Sequence, residues 1–264
     1  MRPDSQIKLL LHLADNALVL GQRNSEWTGH GPILEQDIAI SNIALDQIGH
    51  ARYFYQYAAE LMNENGNTLI KTQQYRSSHS EDSLAYLRDP DEFLNLLIVE
   101  LPRGDWAFTL LRQFFVSSFQ KYYFIQLANN RDQHIGAIAR KAIKEIEYHV
   151  KWSGEWVIRL GDGTEESRRR LLAALSNLWS YTGEFFETTP FELQNEIFTD
   201  PLRDQWQSNV VRVMEEATML TEFSTVVSSA VMQTGGKNGN HTTHLTEMLN
   251  EMQVLQRTYP GCEW

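Results

Sequence analysis

Four long segments with helical periodicity, joined in pairs by very short connections, constrain this chain more than any other feature of its sequence. The turn Thr28–Pro32 (TGHGP) joins the first pair, and Asn129–Asp132 joins the second. Connections this short make each pair fold back as an antiparallel hairpin. A much longer connection separates the two hairpins. The four predicted segments are Asp4–Glu26, Ile33–Met62, Asp105–Asn130 and Asp132–Leu160.

Two hairpins with one long crossover are typical of ferritin-like bundles rather than of simple up-and-down bundles. No segment shows the alternating apolar and polar pattern of a strand. We therefore predict an all-α fold in which residues 1–264 form a single ferritin-like helical domain. Additional helices are predicted at Asp91–Glu100, within the crossover, and after the bundle at Glu165–Glu187, Pro201–Ser229 and Thr242–Tyr259.

The charge of the chain limits its partners. Its formal net charge is -11, whereas binding to nucleic acid or to an anionic membrane surface requires a basic footprint. No apolar run reaches the roughly 18 residues of a membrane span. The single cysteine, Cys262, excludes a disulfide scaffold and fits a reducing compartment. We expect a cytoplasmic protein that binds neither nucleic acid nor membrane.

Two pentapeptides on facing helices combine a carboxylate with a histidine. They are DQIGH, from Asp46 to His50, and EIEYH, from Glu145 to His149. A di-iron bundle takes one Glu from each of two helices and a Glu-x-x-His pair from each of the other two. Carboxylates and imidazoles in this bundle therefore raise the question of a metal site.

The spacing of these residues does not match the di-iron pattern. Three residues before His50 stands Gln47, and three residues before His149 stands Ile146. Between Trp106 and Asn130 the third segment contains no Asp or Glu, and Gln113 and Gln120 are the residues expected to offer oxygens to a metal there. Too few inward carboxylates remain to neutralise two irons. We predict that this chain holds no metal and no cofactor of its own.

The four residues of the two motifs are then interpreted as a vestigial, di-iron-like polar cluster. We expect pairs within each helix, Asp46 with His50 and Glu145 with His149, because side chains four residues apart share a helix face. A buried imidazole beside a carboxylate is tolerated when both are hydrogen-bonded. The alternative is a metal site of unusual spacing in which these residues bind metal together with water.

The third segment is apolar on nearly every side, so it must be covered on every side. We expect a large permanent subunit interface built from the first three segments. The alternative is that the later helices of the same chain cover it completely. In the second segment, apolar residues recur at helical spacing: Leu34, Ile38, Leu45, Ile48, Phe54, Ala58 and Leu61.

A glycine-rich stretch, TGGKNGNHTTHL, precedes the last predicted helix. It contains Lys237, His241 and His244, and a helix N-terminus with such neighbours favours an anion. A phosphate is one candidate ligand for these three residues. The stretch has no Walker or Rossmann spacing, and a purely structural loop is the alternative.

Three stretches of the chain together resemble the C-type subunits of the phenylacetyl-CoA epoxidase family. They are Leu13–Leu61 (LADNALVLGQ…), Ala142–Thr164 (AIKEIEYHVKW…) and Thr234–Trp264 (TGGKNGNHTTH…). The resemblance implies a ferritin-like subunit that pairs with a homologous catalytic A-type subunit. That partner would hold the di-iron centre and epoxidise the ring of phenylacetyl-CoA. The resemblance also implies that C-type chains are structural and have lost the metal ligands, and that the phosphate suggested for Lys237, His241 and His244 would belong to coenzyme A.

We therefore expect a non-catalytic subunit of a multicomponent monooxygenase in aerobic phenylacetate degradation. It would stabilise and orient the A-type subunit in a heterodimer or higher assembly, together with other epoxidase components. The isolated chain is expected to be able to homodimerise. Two alternatives stay open. The chain could be a metal-binding oxidoreductase that uses Asp46, His50, Glu145 and His149, or a ferritin-like scaffold unrelated to an oxygenase.

Overall fold

The computed structural model describes residues 3–66, 78–259 and 262, and all regular structure within them is helical. The first hairpin consists of α1 (Pro3–Ser25) and α2 (Leu34–Asn65), within a residue or so of the predicted starts. α2 ends where Gly66 adopts the left-handed conformation, with φ 60°, and donates its N–H to the Met62 carbonyl. Glycine is the residue that takes this conformation without strain.

The crossover contains less helix than the sequence predicted. It holds α3 (Glu81–Tyr86), a single 3-10 turn (Pro90–Glu92), an extended stretch at 93–96 and the short α4 (Leu97–Glu100). The predicted helix over Asp91–Glu100 is therefore wrong. Part of the polar stretch predicted before Ser83 lies outside the described residues.

Buried polar side chains of α1 hold the extended stretch and thereby override its helical pattern. The Leu94 N–H donates to Asp15 Oδ2 at 2.8 Å, and the Leu96 N–H donates to Asn16 Oδ1 at 2.9 Å. His12 Nδ1 donates to the Leu94 carbonyl at 2.6 Å. Because these backbone groups already have partners on α1, the crossover gains nothing by forming an internal helical turn.

The second hairpin consists of α5 (Trp106–Leu127) and α6 (Gln133–Gly161). Asp105 caps α5, as predicted, by accepting from the Phe108 N–H at 2.9 Å. Asp132 caps α6 by accepting from the N–H groups of His134 and Ile135. The fold class is confirmed: two hairpins and one long crossover give a ferritin-like bundle.

The rest of the chain forms shorter helices, and three of the predicted ones are divided; the helix predicted at Thr242–Tyr259 breaks at Gln253. A 3-10 segment replaces the end of the helix predicted at Glu165–Glu187, and the helix predicted at Pro201–Ser229 breaks at Thr218, which has φ 58°. Arg168 fixes this break by donating to the Thr218 hydroxyl and carbonyl. The elements are α7 (Glu165–Leu178), a 3-10 segment (Trp179–Phe186), α8 (Pro190–Gln194), a 3-10 turn (Asp200–Leu202), α9 (Arg203–Glu216), α10 (Leu220–Ser229), a 3-10 turn (Gly236–Asn238), α11 (Thr243–Met252) and α12 (Val254–Thr258).

These later elements cover the apolar helix α5. Phe115 contacts Trp179 and Trp206 edge-on or tilted, with ring centroids 5.8 and 5.6 Å apart, and Phe119 stacks on Phe185 at 4.8 Å. The later helices therefore cover most of α5, as the alternative stated, so a subunit interface is not needed to shield it. A subunit interface built from the first three segments stays a prediction. Within the ranges described, no helix combines the length and apolar character needed to cross a lipid bilayer.

Candidate functional site

The two sequence motifs face each other on α2 and α6, and their residues pair between the helices. His50 Nε2 lies 2.6 Å from Glu145 Oε2, and His149 Nε2 lies 3.0 Å from Asp46 Oδ2. The structure thus brings all four predicted residues together, but the predicted pairs within each helix are wrong. The histidines point into the bundle, and the nitrogen that faces outward reaches a carboxylate on the neighbouring antiparallel helix.

The two halves of each pair differ in burial. His149 and His50 are 0% and 3% exposed, whereas the side chains of Asp46 and Glu145 are 34% and 38% exposed. Burial lowers the pKa of His149 below 6.5, although Asp46 opposes this effect. At neutral pH the His149 imidazole is therefore neutral, and Asp46 and Glu145 lie at the rim of the bundle.

The carboxylates fix which imidazole nitrogen faces the bundle interior. A carboxylate accepts a hydrogen bond, so each ring carries a proton on Nε2, and in the neutral His149 imidazole the lone pair lies on Nδ1. His149 Nδ1 accepts from Gln47 Nε2 at 3.4 Å, and the Gln47 amide lies 3.5 Å from Gln120 Oε1 on α5. His50 Nδ1 is buried and has no hydrogen-bond partner among the described residues.

The orientation of the histidines is that of metal ligands, but the other donors do not fit a di-iron centre. Metal-binding histidines donate their second nitrogen to a carboxylate, as these two do. The inward positions three residues earlier hold an amide, Gln47, and a hydrocarbon, Ile146. Asp46 and Glu145 cannot replace the missing carboxylates, because each is bound to an outer nitrogen. Across the described residues, no group of three or more His, Cys, Asp or Glu side chains could hold a metal ion.

The helix α1 directs its inward carboxylate away from this cluster. Asp15 forms a fully buried ion pair with Arg88 of the crossover and accepts from the Tyr55 hydroxyl at 2.5 Å. Arg88 also donates to the carbonyls of Leu84 and Glu92. This network ties α1, α2 and the crossover together. Sequence reasoning missed it, since an isolated Asp on α1 and an Arg some 70 residues away give no spacing signal.

The glycine-rich stretch binds carboxylates of its own chain. Lys237 is 3% exposed, and its Nζ lies 3.1 Å from Glu192 Oε1 and 2.8 Å from the Glu187 carbonyl. The lysine holds the pKa of Glu192 below its ordinary value even though burial opposes this. The Glu184 carboxylate accepts from the N–H groups of Gly235 and Lys237.

His241 also has an internal partner. Its Nδ1 lies 2.7 Å from Glu100 Oε2, and its Nε2 donates to the Phe93 carbonyl at 2.8 Å. Burial alone would lower the pKa of His241, but Glu100 outweighs burial and raises it. Glu100 Oε1 accepts from the Thr242 N–H at 2.6 Å, at the N-terminus of α11. Of the three residues suggested for coenzyme A phosphate, His244 alone has a substantially exposed side chain, at 38%. That contact stays a prediction.

Comparison with known proteins agrees with the resemblance noted in the sequence. The chain is 42% identical, over 259 residues, to the C-type subunit of 1,2-phenylacetyl-CoA epoxidase from Escherichia coli (strain K12). The alignment covers 96% of this chain and 97% of the relative. A family model described as "Phenylacetic acid catabolic protein" matches residues 2–264. The chain therefore belongs to the phenylacetic acid catabolic protein family.

Proposed function

We propose that this chain is a non-catalytic, structural subunit of a multicomponent di-iron oxygenase that epoxidises the ring of phenylacetyl-CoA. Its role would be to stabilise and orient a catalytic A-type subunit in the cytoplasm. The similarity to the C-type epoxidase chain over nearly the whole length supports membership of such a complex. The single observation that carries the non-catalytic role is the replacement of both inward Glu-x-x-His carboxylates by Gln47 and Ile146.

The polar cluster would then serve packing rather than oxygen chemistry. Two hydrogen bonds between helices, His50 to Glu145 and His149 to Asp46, join the hairpins at the place where a di-iron centre would otherwise join four helices. Hydrogen bonds that satisfy buried imidazoles fix the relative register of α2 and α6. A bundle held in this way presents a rigid surface to its partner without requiring metal.

The test is co-expression of this chain with the A-type subunit, followed by mass measurement of the intact assembly. We expect a stable complex in which iron is found with the A-type chain. A mass spectrum in which the two chains run separately at micromolar concentration would count against the proposal. The assembly should lose epoxidase activity when this chain is omitted, because the partner would lack its support.

A second candidate is a metalloenzyme built on Asp46, His50, Glu145 and His149. The buried His50 Nδ1, which lacks a partner among the described residues, favours it. Metal analysis of the chain expressed alone in iron-rich medium separates the two candidates. Near-stoichiometric iron would support the enzyme, and iron well below one per chain would support the structural subunit.

A further inference from the structure

The N-terminal half of α2 leaves a line of large apolar side chains in solvent. Leu34 is 71% exposed, Ile38 51%, Leu45 64% and Ile48 40%. They follow one another at intervals of four, seven and three residues, which is a seven-residue repeat. Such a repeat keeps a line of side chains facing one neighbouring helix. We name this line the α2 seam, and its positions are Leu34, Ile38, Ser41, Leu45, Ile48 and Arg52.

Grooves run along both sides of the seam at its C-terminal end. One groove, of about 350 Å³, lies towards α1 and α3 and contains Arg52, Glu81 and Asp82 in its lining. The other, of about 150 Å³, lies towards α6 and contains Asp46, Lys141 and Glu145 in its lining. A ridge between two grooves is the shape that a second helix packs against, because its own side chains enter the grooves.

Gly49 adds a second, independent observation on the same surface. It lies within the 32-residue helix α2, where glycine is unfavourable compared with alanine. A Cβ at this position would meet no atom within 4 Å, so packing within the chain does not require the glycine. Gly49 borders the groove towards α6, one turn from Leu45. A glycine that its own fold does not need permits a partner's backbone to approach closely.

Charge decides what kind of partner fits. Each groove contains two carboxylates and one cationic side chain, so both are acidic. The whole chain carries a formal charge of -11, which disfavours a second copy of itself on the same surface. A partner helix that brings lysine or arginine to the grooves would complement this charge.

We propose that the α2 seam is the docking face for one helix of the catalytic subunit, and that this helix carries an apolar stripe bordered by lysine or arginine. The proposal rests on the proposed function and adds the surface and the chemistry of the partner to it. Docking would cover the exposed leucines and isoleucines and would place the partner's backbone closest to α2 at Gly49.

The experiment measures the Kd between the purified chain and the purified catalytic subunit. Leu45→Glu puts a charge in the middle of the seam and should weaken binding at least about tenfold. The matched control is Leu255→Glu on α12, where the leucine is 51% exposed and lies outside the seam. The control should bind as the unchanged chain does. Circular dichroism should give the same helical content for both variants.

Gly49→Ala gives a measurement that a folding defect cannot imitate. Alanine should raise the unfolding midpoint of the isolated chain, because it favours the helix and has open space. The same methyl group should weaken binding of the catalytic subunit roughly fivefold or more, because it blocks close approach. A variant that is more stable but binds less well can be explained only by contact at this position.

The outcomes separate the two proposals. If the unchanged chain binds the catalytic subunit, and Leu45→Glu and Gly49→Ala bind it equally well, the proposal that the α2 seam is the docking face is wrong. The proposed function then stands. If the unchanged chain does not bind at all, the proposed function fails and the seam's assigned occupant fails with it. If, instead, the chain alone forms a dimer that Leu45→Glu dissociates, and the same variant binds the catalytic subunit as tightly as the unchanged chain does, the occupant is a second copy and the basic partner helix is excluded.

Discussion

His50 on α2 donates a hydrogen bond from Nε2 to Glu145 Oε2 on α6, across a distance of 2.6 Å. The histidine is almost fully buried and the carboxylate is partly exposed. Together with the bond between His149 and Asp46, it turns two motifs from different hairpins into one cluster. The contribution of the cluster to the free energy of unfolding should therefore come from the two hydrogen bonds between α2 and α6, and not from contacts within either helix.

A double-mutant cycle on His50 and Glu145 tests this arrangement. Glu145→Ala and His50→Ala should show a coupling of about 1 kcal/mol, reduced from that of a fully buried charged hydrogen bond by the exposure of Glu145. The cycle between Glu145 and His149, which share α6, should give a coupling near zero. Urea unfolding followed by far-ultraviolet circular dichroism supplies the free energies. Equal couplings would contradict the pairing between helices.

Stability should fall in mild acid. Burial lowers the pKa of both His12 and His149 below 6.5, so the unfolded chain binds more protons than the folded chain just below that pH. The free energy of unfolding should drop by up to about 1.4 kcal/mol per pH unit for each histidine as the pH falls from 6.5 through the folded pKa.

His241 acts in the opposite direction, because its pKa is raised. Its contribution is complete below its unfolded pKa and is lost as the pH rises through the folded pKa. Unfolding free energies between about pH 5 and pH 8 would resolve both effects. The His149→Gln variant should have a shallower slope on the acid side than the unchanged chain. An unaltered slope there would mean that His149 does not titrate differently on folding.

Removing one partner of the buried pair between Asp15 and Arg88 should be strongly destabilising. Both side chains are 0% exposed, so Arg88→Met leaves an uncompensated carboxylate and should cost about 3–5 kcal/mol. The double variant Asp15→Leu with Arg88→Met should lose less than the sum of the two single changes. Denaturant titration measures all three. Additive losses would show that the two charges do not depend on each other.

Substitutions at Lys237 in the glycine-rich loop distinguish a structural role of this lysine from a role in binding the coenzyme A ester. Lys237→Met leaves Glu192 buried without its cation and should cost about 3 kcal/mol. Adding Glu192→Gln should restore much of this loss, because the pair is then neutral. If Lys237 also binds the coenzyme A ester, the stable double variant should still raise the KM of the assembled complex. An unchanged KM would leave the lysine with a structural role.

Local signals in the sequence identified the hairpins and several helix ends. Asp105 and Asp132 cap their helices through side-chain oxygens, which is a property that three or four neighbouring residues determine. The crossover was predicted less well. Its residues 93–96 have a helical apolar pattern, yet they are extended because Asp15 and Asn16 on α1 take their N–H groups.

The candidate site was likewise predicted in part from the sequence, and the rest of it became evident only from the structure. Its four residues were identified from their types and from the helices that carry them, and the lack of a carboxylate three residues before each histidine was evident from the spacing. Which histidine pairs with which carboxylate was not evident, because the answer depends on the antiparallel register of α2 against α6. Leu34, Ile38, Leu45 and Ile48 fit a helical pattern, but only the packed structure reveals that they are exposed.

The sequence by itself determined that this chain is a helical bundle of two hairpins and that neither His50 nor His149 has a carboxylate three residues before it. Periodicity, turns and capping residues act over a few positions, so they can be read along the chain. Tertiary structure alone decided which polar groups meet, which apolar side chains stay in solvent, and where the crossover is extended. Those outcomes depend on contacts between residues far apart in sequence, whose partners no local pattern specifies.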